Sequence, residues 1–133
     1  MELVACTKEE FEHYKEMYLT LPTWDILSFD FIDDLELCKI KMDGNIVGLI
    51  EFSLGMIPNS IHIDNLEVFQ KGNRFGSRII AGLKQEFKGV ILELYSSSNK
   101  SASFWKEHQF KEEDDGTGTI ILRYVVSEER RNA

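Results

Sequence analysis

The residues of this chain best suited to chemistry sit together. The run Gln70-Lys71-Gly72-Asn73-Arg74-Phe75-Gly76-Ser77 combines two glycines, two basic side chains and a hydroxyl, and His62, Asp64 and Glu67 lie just before it. A glycine loop that leads from a strand into a helix offers unpaired backbone N–H groups and the positive helix end to one anion, phosphate above all. Gly72 would let the chain turn with positive φ, and Gly76 would let phosphate oxygens approach without a Cβ in the way. Lys71 and Arg74 would add ionic contacts and the Ser77 hydroxyl a hydrogen bond. The spacing matches neither the P-loop nor Gly-x-Gly-x-x-Gly, which argues against nucleotide hydrolysis and dinucleotide binding. His13, His62, His108, Cys6 and Cys38 show no ligand spacing, so no metal is expected.

The surrounding pattern supplies elements to hold these groups. Thr7-Lys8-Glu9-Glu10 fits a capping box, and Phe11, Tyr14, Met17 and Tyr18 follow at helical spacing, predicting a helix over 8–19 after a short strand at 3–6. Pro22 closes that helix, and 23–34 is the least legible stretch, with room for a second short helix. Alternation over 36–42 and 45–54 around Asp43-Gly44 predicts a β-hairpin. A strand follows over 60–69, and its apolar positions change parity between Ile63 and Leu66. A β-bulge near Asp64-Asn65 is the simplest cause. Ile79, Ile80, Leu83 and Phe87 predict a helix over 76–88, followed by a strand at 90–95. Ser98 opens a helix over 99–108, and two strands at 109–112 and 120–126 close the fold.

The chain has 133 residues and a formal charge of −8, with 43% hydrophobic and 29% charged residues. That suits one domain, 1–133, with a sizeable core. No apolar run approaches the ~20 residues of a membrane span, and the first residues lack a signal-peptide pattern. Two cysteines suggest reduced thiols. A soluble, cytoplasmic protein is expected, with neither nucleic acid nor membrane as a partner, because the charge opposes both. An acidic surface mildly favours cationic partners such as amines. Against this background 68–85 holds no carboxylate while carrying Lys71, Arg74, Arg78 and Lys84.

Leu66-Glu67-Val68 through Lys71-Gly72-Asn73-Arg74-Phe75-Gly76-Ser77-Arg78-Ile79-Ile80 resembles the acetyl-CoA motif of the GNAT superfamily of N-acetyltransferases. Ser98-Asn99-Lys100-Ser101-Ala102-Ser103-Phe104-Trp105-Lys106-Glu107-His108-Gln109-Phe110 is similar to that family's second motif, and Met42-Asp43-Gly44-Asn45-Ile46-Val47-Gly48 to its usual hairpin. The resemblance covers roughly 36–111. It departs at Lys71, where Gln or Arg is usual, at Arg74, where a glycine is usual, and at Trp105, where many members have tyrosine.

The resemblance implies an α/β (α+β) fold: a mixed, mostly antiparallel central sheet flanked by helices. It implies acetyl-CoA as co-substrate, held by Leu66, Val68, the loop Lys71, Gly72, Asn73, Arg74, Phe75, Gly76 and Ser77, and by Ser98, Asn99 and Trp105. The Val68 N–H would bond the acyl carbonyl oxygen. Direct transfer to an amine, on a small molecule or on a peptide or protein, would need a general base. Glu67 is the first choice, with Asp64 and His62 on the same strand. Tyr95 is a substitute proton donor for the thiolate, since an indole such as Trp105 does not ionise usefully. The alternative is an acyl-CoA-binding or protein-interaction module with weak or no turnover. A homodimer is the oligomer to expect on general grounds.

Overall fold

The computed structural model describes residues 1–20, 24, 35–69 and 74–125. Ten elements alternate along it: β1 (Glu2–Ala5), α1 (Lys8–Met17), β2 (Glu36–Met42), β3 (Asn45–Leu54), β4 (Ser60–Val68), α2 (Phe75–Glu86), β5 (Ile91–Leu94), α3 (Asn99–Glu107), β6 (Lys111–Asp114) and β7 (Ile120–Tyr124). The strands form one sheet in the order β1-β2-β3-β4-β5-β7-β6. Every neighbouring pair is antiparallel except β4 with β5. The expected mixed, mostly antiparallel sheet with flanking helices is what the chain forms.

Local chemistry accounts for the elements. Thr7 and Glu10 form the reciprocal capping box, each bonding the other's backbone N–H. Asp43 and Gly44 both take positive φ, 54° and 83°, as a two-residue turn matched to strand twist requires. The sixth strand begins at Lys111, two residues later than the 109–112 pattern predicts, because Gln109 leaves the helix with φ 76°. The expectation for 23–34 lies outside the described residues, Trp24 excepted.

The sheet separates two apolar layers. On one face α2 gives Ile79, Ile80 and Leu83 and α3 gives Trp105, packed on Ile50, Phe52, Ile63, Leu92, Leu94 and Leu122. On the other, Phe11 of α1 packs with Cys6, Trp24, Leu37 and Leu49, and Phe69 stacks on Tyr14 and Tyr18. Each fully buried aliphatic side chain contributes about 1.5–3 kcal/mol relative to exposure. Both cysteines are free thiols.

The β4 parity change is a bulge. Glu51 pairs with Asn65 and Phe52 with Ile63, leaving Asp64 as the extra residue. Ile63 and Leu66 therefore both reach the α2 face. Gly48 leaves room for the β4 backbone: a Cβ there would lie 2.5 Å from the Glu67 carbonyl oxygen.

Candidate active site

The site begins where β4 and β5 part. Their parallel pairing consists of Ser60 with Ile91, Ile61 with Leu92 and His62 with Glu93, after which β4 runs on to Val68 without β5 beside it. The Phe69 N–H donates to the Val47 carbonyl at 2.8 Å, flanking the facing pair Gly48–Val68. That makes Gly48–Val68 a non-hydrogen-bonded pair, and by alternation Ile50–Leu66 is another. Leu66 and Val68 therefore turn their N–H and C=O groups away from β3, into the gap that β5 leaves open. Their side chains pack into the α2-side core.

At the far end of β4 stands the N-terminus of α2. Its cap, Arg74, is exposed in the left-handed region at φ 56° and gives no side-chain cap, and the first turn holds no acidic residue. The N–H groups of Phe75, Gly76 and Ser77 thus head the helix with a positive dipole end, chemistry that fits a phosphate. Arg78 stays nearby, ion-paired with Asp43 at 2.7 Å and placed over the Phe75 ring. The Ser77 hydroxyl lies 3.2 Å from His108 Nε2. Gly76 also lets two helices meet. A Cβ there would stand 3.0 Å from Phe104 Cζ, so the glycine admits α3. Lys71, Gly72 and Asn73 lie outside the described residues.

Around α3, the Ser98 hydroxyl accepts from the Ser101 N–H at 3.1 Å as N-cap, and Asn99 is the exposed first helical residue. Trp105 is 7% exposed, packed edge-on against Phe110 and Phe104 within the core.

Glu67 is heavily engaged. Its carboxylate accepts from the Thr20 N–H (2.9 and 3.1 Å), the Thr20 hydroxyl (2.6 Å) and the Trp24 indole N–H (3.0 Å). The residue ties the end of the α1 region to β4, beside Val68. Tyr95 donates its hydroxyl to Asp115 at 2.5 Å, and that bond, with some burial, pushes its pKa up to about 12.

A polar network that sequence reasoning missed fills the sheet face opposite α2. Glu93, fully buried, takes His62 Nδ1 at 2.7 Å, Arg123 Nε at 3.1 Å and the Met56 N–H at 3.1 Å. Arg123 also bonds Glu113 at 2.9 Å. Burial opposes the Glu93 charge, yet the hydrogen bonds from His62, Met56 and Arg123 outweigh it and hold its carboxyl below the usual range. The available signal was a charged residue inside each of two apolar runs, Ile91-Leu92-Glu93-Leu94 and Ile121-Leu122-Arg123-Tyr124. Buried charges require partners. Asn65 likewise donates to the buried Glu51 at 2.8 Å, and Ser53 to Asp64 at 2.8 Å.

No family model matches this chain, and no curated protein matches its sequence. Solved structures do match. The PaiA N-acetyltransferase from Thermoplasma acidophilum, in complex with coenzyme A, is 20% identical with TM-score 0.54; the match covers 70% of this chain and 62% of that one. A GNAT-family acetyltransferase from Bacteroides thetaiotaomicron is 13% identical with TM-score 0.69, over 99% of this chain and 91% of that one. A Bacillus subtilis acetyltransferase in complex with CoA is 17% identical with TM-score 0.67, over 95% and 97%. The fold is that of the GNAT acetyltransferases.

Among the described residues, no cluster of His, Cys, Asp and Glu could hold a metal ion, and no helix is long and apolar enough to cross a membrane.

Proposed function

We propose that this protein moves an acetyl group from acetyl-CoA directly to an amine. The observation that carries the reading is the gap between β4 and β5, with the Leu66 and Val68 backbones turned into it and the uncapped end of α2 beyond. Two solved structures of this fold are complexes with coenzyme A, which supports that co-substrate.

In this reading the N–H groups of Phe75, Gly76 and Ser77, with the 70–73 loop, hold the diphosphate. Ser98 and Asn99 border the cofactor from α3. The Val68 N–H polarises the thioester carbonyl, a preorganised donor aimed where negative charge develops. The neutral amine attacks the carbonyl carbon. As the C–N bond forms and the C–S bond breaks, the amine gives up a proton and the sulfur gains one. Glu67 serves here as a positioning residue: its oxygens hold Thr20 and Trp24, so the acceptor side is built around it. The acceptor class is a cationic amine, drawn by the net charge of −8 and giving up its ammonium proton to solvent before it attacks.

A second reading, a module that binds acyl-CoA without turnover, is favoured by Trp105 in the core, an indole with no usable acidic proton, and by Tyr95, whose hydroxyl proton goes to Asp115 rather than to a thiolate. Calorimetric titration with acetyl-CoA, run beside a thiol-release assay over a broad amine panel, separates the two. Binding with amine-dependent release of free CoA is the expected result. Binding without release supports the module, and absence of binding overturns both.

A further inference from the structure

We infer that acetyl-CoA binds together with a proton, taken up by His108, which acts on the diphosphate through the Ser77 hydroxyl as a positioning residue. This rests on the acetyl-transfer reading and adds to it a pH control of co-substrate binding.

Ser77 Oγ lies 3.2 Å from His108 Nε2, and among the described residues neither side chain makes another hydrogen bond. Ser77 is the third residue of α2, and helical side chains lean toward the start of their helix. Its hydroxyl therefore stands beside the free N–H groups of Phe75 and Gly76, where the diphosphate is held. The imidazole is fixed from behind. Phe104 meets it edge-on at 4.8 Å and fills the space that Gly76 leaves, and the Lys84 ammonium donates to the His108 carbonyl at 2.7 Å.

A hydroxyl has one proton to give. While Nε2 presents a lone pair, Ser77 donates to the imidazole and turns only lone pairs toward an incoming phosphate. Once Nε2 carries a hydrogen, the imidazole donates to Oγ and the serine proton is free for a phosphate oxygen. Two features select the imidazolium over the neutral Nε2–H tautomer. His108 is the C-cap residue of α3, where the helix dipole favours a cation. A diphosphate at the head of α2 adds negative charge on the other side of the Ser77 hydroxyl. The proton has a way in. No side-chain nitrogen among the described residues is both buried and unpartnered, so Nδ1, which has no partner among them, reaches water. The charged and titratable groups on the elements around the ring are Arg74 at the head of α2, Arg78 and Lys84 on α2, Lys106 and Glu107 on α3, Glu112 on β6, paired with Lys106, and Tyr124 on β7 under Lys84.

The test is calorimetric titration with acetyl-CoA in two buffers of different ionisation enthalpy, which reads the protons taken up on binding. Wild type should take up protons at neutral pH, and its Kd should rise about 3–10-fold from pH 6 to pH 8. His108→Gln keeps an amide donor for Ser77 and should remove both effects, while any titration of the phosphates themselves stays in that variant. Ser77→Ala should weaken binding, and adding His108→Gln to it should weaken it little further, because His108 acts through the hydroxyl. Binding by wild type without proton uptake overturns the inference and leaves acetyl transfer intact; this arm needs no variant to fold. Uptake that persists in His108→Gln, or additive losses in the double variant, overturns it as well. A wild type that binds no acetyl-CoA defeats the underlying reading and the inference together.

Discussion

At the scale of single residues, Glu67 and Glu93 show two ways a carboxylate can hold distant segments to the sheet. Glu67 is a fastener: Thr20 and the buried Trp24 converge on it. Glu67→Gln puts an amide donor against those donors and should cost about 1–3 kcal/mol. Urea unfolding should show an earlier midpoint, with Trp24 fluorescence shifted to the red; an unchanged midpoint would mean the contacts add no stability. Glu93 is a buried charge held below its ordinary value of 4.5. A depressed carboxyl contributes stability that is complete above the unfolded value and is lost as pH falls through the folded one. Wild type should thus lose stability faster than Glu93→Gln as pH drops below 4.5. Parallel slopes in unfolding free energy against pH would contradict the assignment. Removing the carboxylate also strips Arg123 of a buried partner, so the variant should start less stable at pH 7.

At the scale of elements, the bulge in β4 and the contact between α2 and α3 do the positioning. Asp64 is one extra residue, and because strand side chains alternate, only its absorption in the bulge keeps Leu66 and Val68 in the α2-side core; deleting it would leave a regular ladder with the same residues on each face. A deletion of Asp64 should therefore keep a cooperative unfolding transition, measured by urea titration. A second residue inserted after Asp64 should abolish it by turning Leu66 and Val68 out of the core; loss of cooperativity on deletion would contradict this pairing. The α2–α3 contact depends on Gly76 facing Phe104 at 3.0 Å. Gly76→Ala should cost about 1–3 kcal/mol through overpacking. Phe104→Leu should recover part of that loss, a coupling a double-mutant cycle would reveal. Additive costs would place the strain elsewhere.

For the molecule as a whole, charge is the governing quantity. With a net charge of −8, attraction of a cationic acceptor acts over about one Debye length and fades with salt. kcat/KM for a dicationic amine should fall as sodium chloride rises from 20 to 300 mM, ~3–10-fold, while a neutral amine should change little. Salt independence for both would show that no long-range field guides the acceptor. The fold itself is shared with acetyltransferases at 13–20% identity, so architecture alone does not choose the acceptor.

Much of this was legible in the chain because it depends on neighbours in sequence. The capping box at Thr7, the Asp43-Gly44 turn and the parity slip at Asp64 are set by steric and hydrogen-bonding rules acting over two to four residues. What the sequence by itself determined, then, is the order of the elements and the glycine-rich entry to α2. The tertiary structure alone decided which distant groups meet: Glu67 with Thr20 across 47 positions, His62 with Glu93 across 31, Gly76 with Phe104. Those meetings follow from how strands and helices distant in sequence pack on the two faces of one sheet, a balance that no local pattern encodes.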